Sequence, residues 1–145
     1  MIREYQYEDL NHCVELLIET LNCEPWKENW TAETATRLLS ELVEYSNFIG
    51  FVALDDDNAI VAAIFARKKT WWTNDEVFIE EFFVKPSMQN KGYGKRLLNY
   101  LENYCKENGL AGTTLLTNRY MPAKNFYEKN GYALADHVIF LYKEV

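Results

Sequence analysis

The chain has 145 residues, of which 48% are hydrophobic and 15% aromatic, and it carries a formal net charge of −7. That is enough for one domain with a proper core and too little for two, and the composition is that of a folded protein rather than a disordered one. The acidic balance speaks against nucleic acid or an anionic membrane as partner, since both favour basic patches, and it is compatible with a cationic substrate.

The elements follow in chain order. Residues 2–6 read as a strand, and 8–21 as a helix whose apolar face is Leu10, Val14, Leu17, Ile18 and Leu21. Residues 22–30, NCEPWKENW, break that pattern and read as a loop. A second helix spans 31–45, with Thr31 and Thr34 at its cap and Ala35, Leu38, Leu39 and Leu42 as its buried stripe. Residues 48–54 and 59–67 form a hairpin around the polar turn DDDN, which lacks the glycine and distal glutamate of a calcium loop. After a loop over 68–75, the segment 76–84 is an apolar strand interrupted by Glu80 and Glu81 and ended by Pro86. A helix over 92–108 presents Leu97, Leu98, Leu101, Tyr104 and Cys105, and Gly109 closes it. A strand at 113–117, a short helix at 122–130, and strands at 132–134 and 138–142 complete the order βααβββαβαββ. The expectation is a single mixed α/β domain over 1–145.

Cys13, Cys23 and Cys105 are an odd number without C-x-x-C spacing, and His12 and His137 stand far apart, so neither a disulfide framework nor a metal site is expected. The opening MIREYQYEDL has no basic segment followed by an apolar one, and no apolar run approaches a membrane span. The expected setting is the reducing cytoplasm.

The most informative stretch is FFVKPSMQNKGYGKRLL, residues 82–98. A strand runs into a turn carrying Gln89, Asn90, Lys91, Gly92, Tyr93 and Gly94, and a helix starts inside that turn. The first N–H groups of a helix have no partner within it, and the helix dipole adds positive potential, so a phosphate or diphosphate fits there. At Gly92 and Gly94 a Cβ would hold such a ligand off the backbone. Lys91, Lys95 and Arg96 add charge. A Walker loop is excluded for want of G-x-x-x-x-G-K-[ST], and a dinucleotide fingerprint because Leu97 stands where its third glycine belongs.

The segment resembles the acetyl-CoA signature of the GCN5-related N-acetyltransferases (GNAT), [QR]-x-x-G-x-[GA] after a strand ending Val-x-Pro; Gln89, Gly92, Gly94 and the lead-in Val84-Lys85-Pro86 all fit. The element order is also similar to that family's over essentially the whole chain. The resemblance implies a central, mostly antiparallel twisted sheet flanked by helices, with acetyl-CoA as co-substrate. It implies that the amides of residues 89–94 hold the diphosphate, with Lys95 beside them. It also implies that the strand end at Phe82, Phe83 and Val84 bonds the pantetheine arm.

Acetylating an amine needs a base, because alkylamines with pKa near ~10.4 are mostly ammonium ions at neutral pH, and the leaving thiolate wants a proton back. Glu80 and Glu81 sit together in an apolar strand, where neighbours point to opposite faces and burial raises a carboxyl pKa. Some GNAT enzymes, polyamine acetyltransferases among them, are similar in carrying an acidic pair here; Glu80 is preferred as the base over Glu81. The segment AKNFYEKNGY, residues 123–132, resembles the second GNAT signature, A-x-x-[FL]-Y-E-K-x-G-[FY], which implies Tyr127 as the acid near the CoA sulfur. Many GNAT proteins place Asn seven residues before that tyrosine; here the residue is Tyr120, with Asn118 and Asn125 nearby as cofactor-binding candidates out of register.

The family's acceptor pockets are built from the loops that here hold Trp26, Trp30, Trp71 and Trp72, aromatic walls suited to a cation, with Glu24, Glu28, Asp75 and Glu76 adjacent. The expected acceptor is a primary amine of a small molecule: a polyamine, an aminoglycoside-like compound or an amino-acid-derived amine. A protein N-terminus or lysine as acceptor, or an acetyl-CoA-binding module without transfer, are the alternatives. The aromatic C-terminal stretch HVIFLYKEV is a candidate contact for a homodimer.

Overall fold

A computed structural model describes residues 1–145. In order the elements are β1 (Ile2–Glu4), a 3-10 turn (Tyr7–Asp9), α1 (Leu10–Leu21), α2 (Ala32–Val43), β2 (Phe48–Leu54), β3 (Ile60–Lys69), β4 (Glu76–Val84), a 3-10 turn (Pro86–Met88), α3 (Tyr93–Glu107), β5 (Thr113–Leu115) and α4 (Ala123–Lys129). The strands form one sheet in the order β1-β2-β3-β4-β5, antiparallel except for the parallel β4–β5 pair.

Both faces of the sheet are covered, which is why β2 and β3 read as continuous apolar runs. On one face Val52, Ala63, Phe65 and Phe83 pack under Cys13 and Leu17 of α1 and Leu39 of α2. On the other, Phe51, Ala62, Ile64, Val77 and Ile79 pack under Leu97, Leu98 and Leu101 of α3. Local signals set the helix ends. At α2, Thr34 N–H donates to Thr31 Oγ1 (3.1 Å) while Thr31 N–H donates to Thr34 Oγ1 (3.0 Å), a reciprocal box that satisfies two otherwise unpaired donors. Gly109, at φ +64°, ends α3 in a conformation that a side chain would strain. At the start of the chain Asp9 is buried and accepts from Arg3 at 2.8 and 2.9 Å and from the Gln6 N–H at 2.8 Å, which fastens β1 to the head of α1. No helix is long and apolar enough to cross a membrane.

The mixed α/β architecture is the expected one, but its C-terminal edge is not. Residues 132–134 and 138–142 form no strand, and everything from 133 to 145 is exposed. β-Branched and aromatic residues favour an extended backbone there, yet a strand also needs a partner edge, and neither segment pairs with one.

Candidate active site

The site is built on β4. Its register with β3 runs from Lys69↔Glu76 to Ala66↔Ile79 and resumes at Phe65↔Glu81, so Glu80 has no partner. Ile79 joins the cluster under α3, while Phe83, four residues on, joins the cluster under α1 and α2. Positions four apart on a regular strand share a face, so this bulge has reversed the alternation. It also separates the fates of the acidic pair. Glu80 Oε1 accepts from Arg67 Nε at 2.7 Å, and that guanidinium lies 5.3 Å from the Phe78 ring centre. Glu81 has no cationic partner; burial pushes its carboxyl up to about 7, and the charges of Glu28 and Glu80 act in the same direction. The sequence preference for Glu80 therefore meets a difficulty: Arg67 occupies Glu80, and Glu81 is the carboxylate poised near neutrality.

β5 accompanies β4 only through Val77↔Thr113, Phe78↔Thr114 and Ile79↔Leu115. Beyond Ile79 the two strands part, and the outer edge of β4 over residues 80–84 is open. Gln89 Nε2 donates to the Val84 carbonyl at 3.0 Å and so draws the following turn back onto the strand end.

In that turn Asn90 has φ +61° and Gly92 has φ +87°, left-handed conformations that Asn tolerates and Gly adopts freely. Gly92 is the N-cap of α3, and the first helical backbone bond is Arg96 N–H to the Gly92 carbonyl at 3.0 Å. None of the backbone N–H groups of residues 90–95 donates to another backbone group. They form a continuous run of free donors where the helix dipole is positive. At Gly94 a Cβ would stand 3.1 Å from Phe126 Cζ, so the missing side chain is what lets α4 approach the head of α3.

From α4 comes Tyr127. Its ring lies 5.4 Å from Phe126, 5.2 Å from Tyr132 and 6.3 Å from Phe82, centre to centre. Burial raises its pKa, and Tyr132 and Glu81 push the same way, so the phenol holds its proton at neutral pH. Tyr132, by contrast, has its hydroxyl engaged with Thr113 Oγ1 at 2.6 Å.

A cavity of about 570 Å³ joins the end of β4, the turn and Tyr127, and neither Glu80 nor Glu81 lines it. Of the residues singled out from the sequence, Phe82, Phe83, Val84, Gln89, Asn90, Gly92, Gly94, Lys95, Asn125, Tyr127 and Trp26 line it. Lys91 is exposed at the rim of the turn, and Tyr93 is turned under Arg96, whose guanidinium lies 4.5 Å from its ring centre. Asn118 caps its own turn by accepting from the Tyr120 N–H at 2.9 Å and does not line the cavity. Trp30 packs toward the core, its indole N–H on Glu28 at 2.7 Å. Trp71 and Trp72 are exposed on the β3–β4 connection, away from the cavity wall. Thr20, Leu21, Pro25, Met88, Pro122, Ala123, Phe126 and Lys129 also line the cavity and were not singled out. Phe126 was within reach as the aromatic preceding Tyr127; the α1 residues carry no sequence signal beyond their place in an apolar helix.

A profile of the acetyltransferase (GNAT) family matches residues 15–132. Over 90 residues the chain is 34% identical to the uncharacterized N-acetyltransferase YhfO of Bacillus subtilis; the match takes in 61% of this chain and 54% of that one, so the chain spans about half the length of the curated relative. The fold is similar to that of a possible acetyltransferase from Clostridium difficile 630, at TM-score 0.84 and 20% identity over 100% of this chain and 97% of the other. It is also similar to AAC(6')-Iy, solved with the bisubstrate analog CoA-S-monomethyl-acetylneamine, at TM-score 0.76 and 19% identity over 100% and 98%. At these identities the two structural likenesses speak to fold.

Proposed function

The chain belongs to the acetyltransferase (GNAT) family, and from that membership we propose that it transfers an acetyl group from acetyl-CoA to a primary amine of a small molecule. The observation that carries this reading is the run of free backbone N–H groups over residues 90–95, opening onto a cavity that also holds Tyr127. A diphosphate fits that run, because it needs donors, positive potential and close backbone approach, and the turn offers all three. Residues 89–95 would hold it, with Lys91 and Lys95 adding charge. The open edge of β4 at Phe82, Phe83 and Val84 would take the pantetheine arm, with Asn125 alongside. When bound, acetyl-CoA supplies the acetyl group as a thioester.

Glu81 would act as the base. With a pKa of about 7 it is partly ionised at neutral pH and can accept a proton from the ammonium, directly or through water. Tyr127 would attend the leaving sulfur. Its proton is held more tightly than that of a thiol, whose pKa is ~8.5, so its role is hydrogen bonding as negative charge develops. Glu80, tied to Arg67, would serve as a fixed charge beside the base. Trp26 and Pro25 wall the cavity from the α1–α2 connection and suit a compact cationic acceptor such as a polyamine, an aminoglycoside or an amino-acid-derived amine. We place the reaction in the cytoplasm, which three free cysteines suit, and the working unit as a homodimer.

Thiol release from acetyl-CoA, measured against polyamines, aminoglycosides, amino acids and lysine peptides, tests the reading. A small amine turned over in preference to the peptides supports it. Peptide turnover alone moves the acceptor to protein. Cofactor binding with no turnover leaves an acetyl-CoA-binding module, and absence of binding removes the proposal.

A further inference from the structure

Thr20 is 3% exposed, on a buried face of α1 that is otherwise Cys13, Val14, Leu16, Leu17 and Leu21. A threonine in a helix commonly satisfies its hydroxyl on a carbonyl of the preceding turn. Thr20 does not. Its one side-chain contact is with the Val84 carbonyl at 3.5 Å, beyond the ~2.5–3.0 Å of an O–H···O bond. That carbonyl is already served, because Gln89 Nε2 donates to it at 3.0 Å. The proton of Thr20 is thus poorly placed on an acceptor that has another donor.

Packing does not call for the hydroxyl. Valine has the same shape and would fill this place with no polar group to satisfy, whereas a buried hydroxyl without a good partner costs stability. Thr20 also lines the cavity, in a wall that α1 and the connection after it otherwise build from Leu21, Pro25 and Trp26. Beside it stand Val84 and Gln89, where the open edge of β4 meets the turn. An arm that runs from the free N–H groups of residues 90–95 back along the end of β4 passes Val84, and so passes Thr20.

We propose, on the acetyl-CoA reading above, that Thr20 is a cofactor-binding residue whose hydroxyl turns from the Val84 carbonyl to donate to an amide carbonyl of the pantetheine arm. The arm carries two amides, and burying them between apolar walls requires hydrogen-bond partners. The open backbone of β4 offers partners on one side. Thr20 offers one from α1, so the arm is held from both sides and a contact left poor in the free protein is completed on binding.

Thr20→Val tests this by removing the hydroxyl and keeping the shape. Calorimetry with acetyl-CoA is expected to show about tenfold weaker binding, the loss of one hydrogen bond. ADP, which carries a diphosphate and lacks the arm, is expected to displace acetyl-CoA with the same affinity from parent and variant. Thr20→Ser, which keeps the hydroxyl, is expected to bind acetyl-CoA as the parent does. In denaturant, Thr20→Val is expected to be at least as stable as the parent, since no good bond is lost in the free protein. Equal losses for acetyl-CoA and ADP overturn the proposal, because Thr20 would then act on the turn through Val84. A Thr20→Ser chain as weak as Thr20→Val overturns it too, because the hydroxyl would not be the group that matters. Undiminished acetyl-CoA affinity in Thr20→Val overturns the assignment and leaves acetyl transfer standing. A parent chain that binds no acetyl-CoA removes both.

Discussion

The middle of the sheet and the far end of β4 obey opposite rules. In β2 and β3 nearly every side chain is buried, and the main chain is paired along the ladders with both neighbouring strands. From Glu80 to Lys95 the register slips by a residue, a half-buried carboxyl has no cation, two residues stand at positive φ, and consecutive N–H groups go unpaired. Each irregularity costs stability, and each is what a ligand or a proton transfer can use. The comparison teaches that the first region sets stability and the second holds in reserve the interactions that binding would complete.

If so, substitutions in the two regions should separate stability from activity. Phe65, fully buried among Tyr5, Phe48 and Phe83, is the severest test of the scaffold. Phe65→Ala is expected to lose about 3–5 kcal/mol in denaturant titrations, in line with other large core truncations. Tyr127→Phe should do the reverse, lowering turnover about 100- to 1000-fold while stability and acetyl-CoA affinity hold; unchanged turnover would remove Tyr127 from the chemistry.

Glu81→Gln sharpens the contrast further, because one substitution should move the two properties in opposite directions. The folded-state pKa, at about 7, lies above the unfolded value of 4.5, so the folded protein binds more protons between those limits and its stability falls as pH rises through them. Removing the charge is expected to stabilise the protein at pH 8 by on the order of 2 kcal/mol, with little effect at pH 4. The same variant should lose the acidic limb of the pH–rate profile near 7, whereas Glu80→Gln should keep it. If only Glu80→Gln abolishes that limb, the base has been assigned to the wrong member of the pair.

Gly92→Val places a β-branched residue at φ +87°, at a strain of about 1–2 kcal/mol, and obstructs approach to the free N–H groups. Calorimetry should show acetyl-CoA affinity falling by more than that strain costs in stability. The smallest effect is expected of Trp72→Ala: at 85% exposure and away from the cavity, it should change stability by less than about 0.5 kcal/mol and leave the amine KM unmoved.

The sequence carried much of this because its strongest signals are local. The turn from Gln89 to Gly94 announces itself through glycine spacing between a strand and an amphipathic helix, and the Thr31 cap and the buried stripes of the helices follow from spacing alone. What was not legible depends on pairing between distant segments. Nothing in FIEEFFV tells which glutamate will stand outside the register, since the bulge is decided against β3. The β-branched and aromatic composition of residues 138–142 likewise records a preference for extension and not the edge that would satisfy it. The four tryptophans illustrate the same limit: equal as aromatic candidates, they divide into Trp26 at the cavity, Trp30 toward the core, and Trp71 and Trp72 in solvent.

The extra residue at Glu80 acts on β4 as a change of phase. Everything beyond it is offset by one step from everything before it, so the inward and outward sets of the strand exchange roles at that point. Deleting a single residue there would bring Phe82, Phe83 and Val84 back into the original phase, drawing Phe83 out of its cluster and turning the open edge over. No point substitution elsewhere on β4 can reproduce or undo that offset. The strand is thus protected against gradual drift in this respect, and a shortened or lengthened β4 should appear only together with a rebuilt turn.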